Sequence, residues 1–336
     1  MTTSSSTQPA ATAPAPGGPP RWRPRLSLRG QDIGLIAVLA LLCVFFSVQS
    51  PHFASQSNVT NILQSVSIIG TMAAVMTLVL VCGALDLSVG AVVGLSGVSA
   101  AILMSSFGWP APWAYAAALV TGLLCGLFNG LAVTRLRINP IIVTIGTLSL
   151  FRGIAFIVTD GKDIAVNDGL SNWLGFERLL FVPATVWVMA LAFLAAWWVA
   201  RFTTAGRTVY AVGANSRAAR LAGLPIERTR LLIMVASGLA AGVAGLLLCA
   251  QAGIAVPAAG TGYELQVLTA VLLGGTSLVG GEGRVTGTLL GVLIIGVINN
   301  GMTLLSVPSY YQTVASGALL LIAVAIDQFR RGAVYR

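Results

Sequence analysis

RFTTAGRTVYAVGANSRAARLAGLPIERTR, residues 201–230, is a polar stretch in a chain that is otherwise almost entirely apolar. It carries six arginines (Arg201, Arg207, Arg217, Arg220, Arg228 and Arg230) against one acid, Glu227. Apolar runs of membrane-spanning length lie on both sides of it. Lysine and arginine near span ends stay on the cytoplasmic side, so a basic loop between two such runs both marks a polytopic membrane protein and orients it. This loop is therefore expected in the cytoplasm, and the remaining runs can be threaded from it.

Composition agrees. The 336 residues are 56% hydrophobic and 9% charged, with a mean hydropathy of +0.89. Soluble domains carry about a quarter charged residues, so a large water-soluble core is excluded. The net charge of +9 comes from short basic segments between apolar runs, which fits topology better than a nucleic-acid face. Cys43, Cys82, Cys125 and Cys249 all lie inside apolar runs without metal spacing and read as small buried hydrophobes. The 38 glycines suit close helix approach in a membrane. No secretory signal peptide is evident.

Residues 1–32 read as a disordered tail, Ser/Thr/Ala/Pro-rich and then basic at Arg21, Arg23, Arg25 and Arg29. A transmembrane domain follows over 33–329, with apolar runs near 33–49, 62–84, 87–107, 113–133, 141–158, 183–200, 231–252, 264–279, 286–306 and 310–327. A short tail, 330–336, closes the chain. The fold class is all-α, polytopic, with about ten membrane segments. Both termini inside places 16 of the 19 basic residues in the cytoplasm, leaves Lys162 and Arg178 outside in an acidic loop, and buries Arg152 within a span. Boundaries around 84–90 and 262–286 are interrupted by glycine and polar residues. Broken or re-entrant segments are expected there, and these survive only where protein or a water-lined cavity covers the freed backbone.

Several constellations stand out against this background. Asp86 lies between two apolar runs; it is either a functional intramembrane acid or a cap for the third helix at the cytoplasmic surface. Glu264 opens the most glycine-dense region. There, Gly274-Gly275-Thr276-Ser277 is either an unwound segment offering hydroxyls and backbone to a solute, or merely a turn. Asn129, Thr144, Thr147 and Asn300 are polar points within apolar runs, by default glue between helices. An uncharged, polar-dotted interior suits a neutral hydroxylated solute. With no acid pair and no intramembrane histidine, ion coupling is disfavoured, and no enzyme motif is present. Within the basic loop, 215–223 has an Asn/Ser start and a glycine stop. It predicts a short helix whose arginines, Arg217 and Arg220, either fit a partner's groove or serve orientation alone.

Three irregular pieces carry a family likeness: GALDLSVG (83–90), TAGRTVYAVGANSRAARLAG (204–223), and GTGYELQVLTAVLLGGTSLVGGEGRVTGTLLG (260–291), with Asn299-Asn300-Gly301 beyond. Over about residues 33–329 the chain resembles the membrane permeases of bacterial ABC importers of the ribose, xylose and galactoside class, ribose permeases above all. The resemblance implies a bacterial inner-membrane subunit that moves a neutral monosaccharide inward. It also implies a second permease subunit, most simply a second copy, with ABC ATPase subunits binding ATP and magnesium and a sugar-binding protein outside. This chain itself would bind lipid and sugar but no cofactor, metal or nucleic acid. Asp86, with Ser88 and Gly90, falls in the family's acidic DLSVG segment on the cytoplasmic side. Gly206, Arg207, Tyr210, Gly213, Asn215, Ala218, Leu221 and Gly223 fall in the loop that meets the ATPase, to which Arg217 and Arg220 are added from their charge. Ala214 departs from the pattern, where a second glycine is expected. The candidate solute path is Asn129, Thr144, Thr147, Glu264, Thr276, Ser277 and Asn300. The competing readings are an ion-coupled secondary carrier and a membrane protein with no transport role.

Overall fold

The computed structural model describes residues 30–334, with side chains from 32 to 329; the tail to residue 29 lies outside the described residues. The apolar runs fold as ten helices: α1 (Gly30–Gln49), α2 (Gln56–Val81), α3 (Val89–Ser105), α4 (Ala111–Thr134), α5 (Pro140–Thr159), α7 (Ala184–Phe202), α10 (Ile226–Ala252), α11 (Tyr263–Leu273), α12 (Val285–Leu304) and α13 (Ser309–Val334). Between them lie the short α6 (Gly169–Phe176), α8 (Thr204–Ala214) and α9 (Ser216–Leu221). Four two-residue strands complete the chain: β1 (Ile164–Ala165), β2 (Arg178–Leu179), β3 (Val182–Pro183) and β4 (Ile254–Ala255). Antiparallel pairs β1–β4 and β2–β3 staple loops at one end of the bundle.

Eight of the helices are long and apolar enough to cross a membrane. The two that are not, α3 and α11, fall at the boundaries marked by glycine in the sequence. With 17 and 11 residues they reach about 25 and about 16 Å, against about 30 Å of hydrocarbon. Both crossings are completed by irregular chain. At the end that carries α8, Gly213 presses on the carboxyl end of α2 at Val81, and the Gly281 amide bonds to the Val81 carbonyl. The chain then turns back through 84–88 before α3 begins. At the other end, β4 pairs with β1, and the chain runs inward through 256–262 before α11 begins. The two interruptions meet: a methyl on Gly90 would lie 2.5 Å from the Gly260 carbonyl oxygen.

The bundle is organised around α2 and α10. Along the α4–α10 seam, backbones touch at glycines. A methyl on Gly122 would come within 2.5 Å of the Gly238 oxygen, and one on Gly126 within 2.5 Å of the Met234 oxygen. Small residues spaced by four let membrane helices pack by dispersion where no hydrophobic effect drives them together. By contrast α1 and α13 sit at the periphery, with most of their span surface outside the core. α1 is clasped at both ends. Asp32, in its first turn, accepts a bidentate pair from Arg284 at the start of α12, at 2.5 and 2.6 Å, and Phe46 fills the space over Gly301.

Candidate functional site

The turn 84–88 carries the first cluster. Asp86 is 1% exposed. Its Oδ1 accepts the Ser88 amide at 3.0 Å and the Ser88 hydroxyl at 2.6 Å, while Oδ2 accepts the Ser237 hydroxyl of α10 at 2.7 Å. Asn129 of α4 donates to the Ser88 hydroxyl at 2.8 Å. The Thr144 hydroxyl of α5 lies 3.2 Å from the Leu85 carbonyl and 2.9 Å from that of Pro140. Three helices thus hold one irregular strand through side chains, supplying bonds that the broken helix forgoes. Asp86 sits just upstream of the α3 amino terminus, where the helix dipole favours a carboxylate. It does so in the protein interior and not at a water-exposed cap. No ion pair reaches it among the described residues.

A second cluster lies where the interruptions meet. Glu264, in the first turn of α11, accepts the Gly262 amide with Oε1 at 3.2 Å. Among the described residues its Oε2 is enclosed without a hydrogen-bond partner, and a methyl on Gly90 would come within 2.1 Å of it. Arg152 of α5 enters the same place from the side. Its own signal in the sequence was a lone arginine inside an apolar run, a position that is costly and usually functional.

The remaining candidates lie elsewhere. Thr276 and Ser277 belong to the turn after α11, where Ser277 Oγ accepts the Val279 amide at 3.2 Å and Thr276 Oγ1 is buried without a partner. Asn300 exchanges two 2.9 Å amide bonds with Asn58 at the opposite end. Thr147 is buried one turn beyond Thr144 on α5. Asn129 and Thr144 therefore join Asp86 and Ser88, and Glu264 joins Gly90. Thr276 with Ser277, and Asn300, stand apart from both groups. Ser237, Asn58 and Asp32 were not singled out in the sequence, where each is an ordinary polar residue until its distant partner is known.

The basic stretch folds as two helices and the first turns of a third. Thr203 caps α8 by accepting the Gly206 amide at 3.0 Å, and Asn215 caps α9 by accepting the Ala218 amide at 2.9 Å. Gly223, at φ +74, ends the turn. The assigned residues divide by exposure. Gly206, Tyr210 and Gly213 face inward, whereas Arg207, Asn215, Arg217, Ala218, Arg220, Leu221 and Gly223 face out. Leu221, a large apolar side chain on a basic helix, is 86% exposed.

The inward residues connect this face to the broken crossings. Tyr210 donates its hydroxyl to the Gly283 carbonyl at 2.8 Å; burial pushes its phenol above the usual range, so it stays a neutral donor. A methyl on Gly213 would lie 1.7 Å from the Val81 oxygen, so only glycine lets α8 seat there. Ala214, the departure from the family pattern, is opposite Gly281, whose missing side chain leaves room for the extra methyl. The Gly281 amide donates to the Val81 carbonyl at 2.8 Å. One compact joint thus ties α8, the end of α2 and the turn that follows α11.

The family described as branched-chain amino acid transport system / permease component matches residues 58–324. The chain belongs to this family. This permease is 41% identical to the ribose import permease protein RbsC of Escherichia coli (strain K12) over 297 residues, 87% of this chain and 92% of that one. It is 39% identical to RbsC of Bacillus subtilis (strain 168), covering 89% and 93% of the two chains. It is also 36% identical to the L-arabinose ABC transporter permease protein AraH of Azospirillum brasilense, covering 98% and 97%. No solved structure matches the permease. Its family and its multi-pass helical fold make it a membrane transport component, and both hold over nearly the whole described chain.

Proposed function

We propose that this permease is the membrane subunit of an ATP-driven importer that carries a neutral monosaccharide, a pentose or related polyol, into the cytoplasm. The observation that carries this reading is identity of 36–41%, spanning nearly full length, to permeases named for ribose and arabinose. The interior supports it: besides Asp86, Glu264 and Arg152, the polar groups of the broken crossings are hydroxyls, amides and backbone carbonyls, which suit sugar hydroxyls. Energy enters from partner ATPase subunits that hold ATP and magnesium, docked on the exposed face of α8 and α9. A second permease copy completes the path, and an external binding protein selects the sugar. Both termini lie in the cytoplasm, and the membrane is the bacterial inner membrane.

The test is reconstitution of the permease with its ATPase and binding protein in proteoliposomes, followed by uptake of labelled ribose, arabinose and leucine. ATP-dependent uptake of a pentose is expected. Uptake of leucine alone would replace the sugar by the amino acid that the family's description names and leave the importer standing. Uptake without ATP, driven by an ion gradient, would overturn the importer.

A further inference from the structure

We propose that Arg152 is a positioning residue for transport, its guanidinium locking the two interrupted crossings to each other at their breaks. The site is intramembrane. Arg152 lies 12 residues after Pro140 and 7 before Thr159 in α5, about 18 and about 10 Å from the helix ends. Nη1 donates to the Pro257 carbonyl at 2.9 Å and to that of Ala259, and Nη2 donates to the Gly90 carbonyl at 3.1 Å. One planar fork of donors therefore spans both broken segments, the first turn of α3 and the irregular chain that leads into α11. A lysine has three donors on a single nitrogen and lacks the planar fork that here spreads them over two.

Glu264 lies close enough to Arg152 to act on it electrostatically, but no ion pair joins them among the described residues, and Oε2 of Glu264 is buried without a hydrogen-bond partner there. A guanidinium at this depth is expensive unless its donors are taken up, and here three backbone carbonyls between α5, α3 and the start of α11 accept them. The fit is tight, because Gly90 and Gly94 leave no room for a methyl between α3 and these groups.

The face in front of this lock gives it a role beyond glue. Ala258, Thr261 and Leu265 are exposed, and 256–262 is irregular backbone. Hydrocarbon does not tolerate such backbone uncovered; it must face water or other protein. On the reading proposed above, that face borders the solute path, and 256–262 is a stretch that can shift without unwinding a helix. Arg152 ties this stretch to α5 and α3, and so sets where it stands when the ATPase side moves.

Arg152→Lys and Arg152→Met test this in the assembled importer, with uptake and ATP hydrolysis measured on the same proteoliposomes. Both variants are expected to assemble, with uptake reduced about tenfold or more, the effect of losing charge-assisted hydrogen bonds, while hydrolysis stays within about twofold. In a background with the four native cysteines replaced, Thr261→Cys should react faster with a water-soluble maleimide when residue 152 is Met. A control cysteine at Asn167 should be unchanged. The labelling needs no substrate, so it reports on Arg152 even if the wild-type importer takes up no sugar. Uptake and hydrolysis falling together with the assembled fraction, failure of both variants to assemble, or unchanged uptake and labelling would each overturn the proposal.

Discussion

Asp86 accepts three hydrogen bonds with two oxygens in a dry interior, so its replacement separates two effects. Alanine leaves the Ser88 amide and the Ser88 and Ser237 hydroxyls without their acceptor. Each buried donor left unsatisfied costs about 1–3 kcal/mol. Asparagine keeps one acceptor for Ser88 and offers an amide donor to Ser237, which can rotate its hydroxyl. Asp86→Ala is therefore expected to lower the apparent melting temperature in detergent substantially, and Asp86→Asn by less than half as much. Equal loss in the two variants would show that charge, and not hydrogen bonding, is what the site needs. The sequence marked Asp86 because an acid between apolar runs is conspicuous. It could not name Ser237, 151 residues away, because serines are common in membrane helices and only contact distinguishes this one.

Among the elements, α1 and α9 are held most differently from the bundle. α1 depends on the Asp32–Arg284 pair, and its partners are unequally buried, at 9% side-chain exposure for the aspartate and 30% for the arginine. Removing one partner of a buried pair leaves the other uncompensated, and the cost grows with burial. Arg284→Ala should thus loosen α1 more than Asp32→Ala, and the double variant should recover part of the loss. Limited proteolysis near residue 50 would measure it, and additive losses would argue that the two residues do not act as a pair.

In α9 the arginines face water. Arg220 pairs with Glu227 at 2.8 Å on the surface, where solvent and salt screen the contact. Arg217→Glu with Arg220→Glu should leave insertion and thermal stability intact. On the proposed docking, it should also lower transport-coupled ATP hydrolysis at least about tenfold. Unchanged transport would assign these arginines to orientation alone.

At the scale of the whole molecule, the arginine bias predicts sidedness. The end that carries α8 and α9 also gathers Arg135, Arg137, Arg201, Arg228, Arg230 and Arg284, while Lys162 and Arg178 lie in the loop between α5 and α7 at the other end. In intact cells with native cysteines replaced, Asn167→Cys should label with an impermeant maleimide. Asn215→Cys should label only after permeabilisation. The reverse pattern would invert the topology.

Run lengths and caps were legible in the chain because they are local. Hydropathy reports whether a segment can sit in lipid. Asn215 with Gly223 marks a short helix within a few residues, and glycine marked the break at 84–90, while the second break, at 256–262, falls just upstream of the stretch 262–286 that glycine density marked. Helical extents differ at several ends: α1 begins at Gly30, within the stretch read as tail, α2 at Gln56, ahead of its apolar run, α10 at Ile226, inside the basic loop, and α13 runs to Val334, into the stretch read as closing tail. The pairing of polar groups was not legible. Arg152 finds carbonyls 62 to 107 residues away, and Asp32 finds Arg284 across 252. Composition cannot distinguish a polar side chain that lines a path from one that mends a broken helix, since both are polar points in apolar runs. Only the tertiary structure decides which freed backbone groups each one reaches, because in a membrane those groups have no water to fall back on.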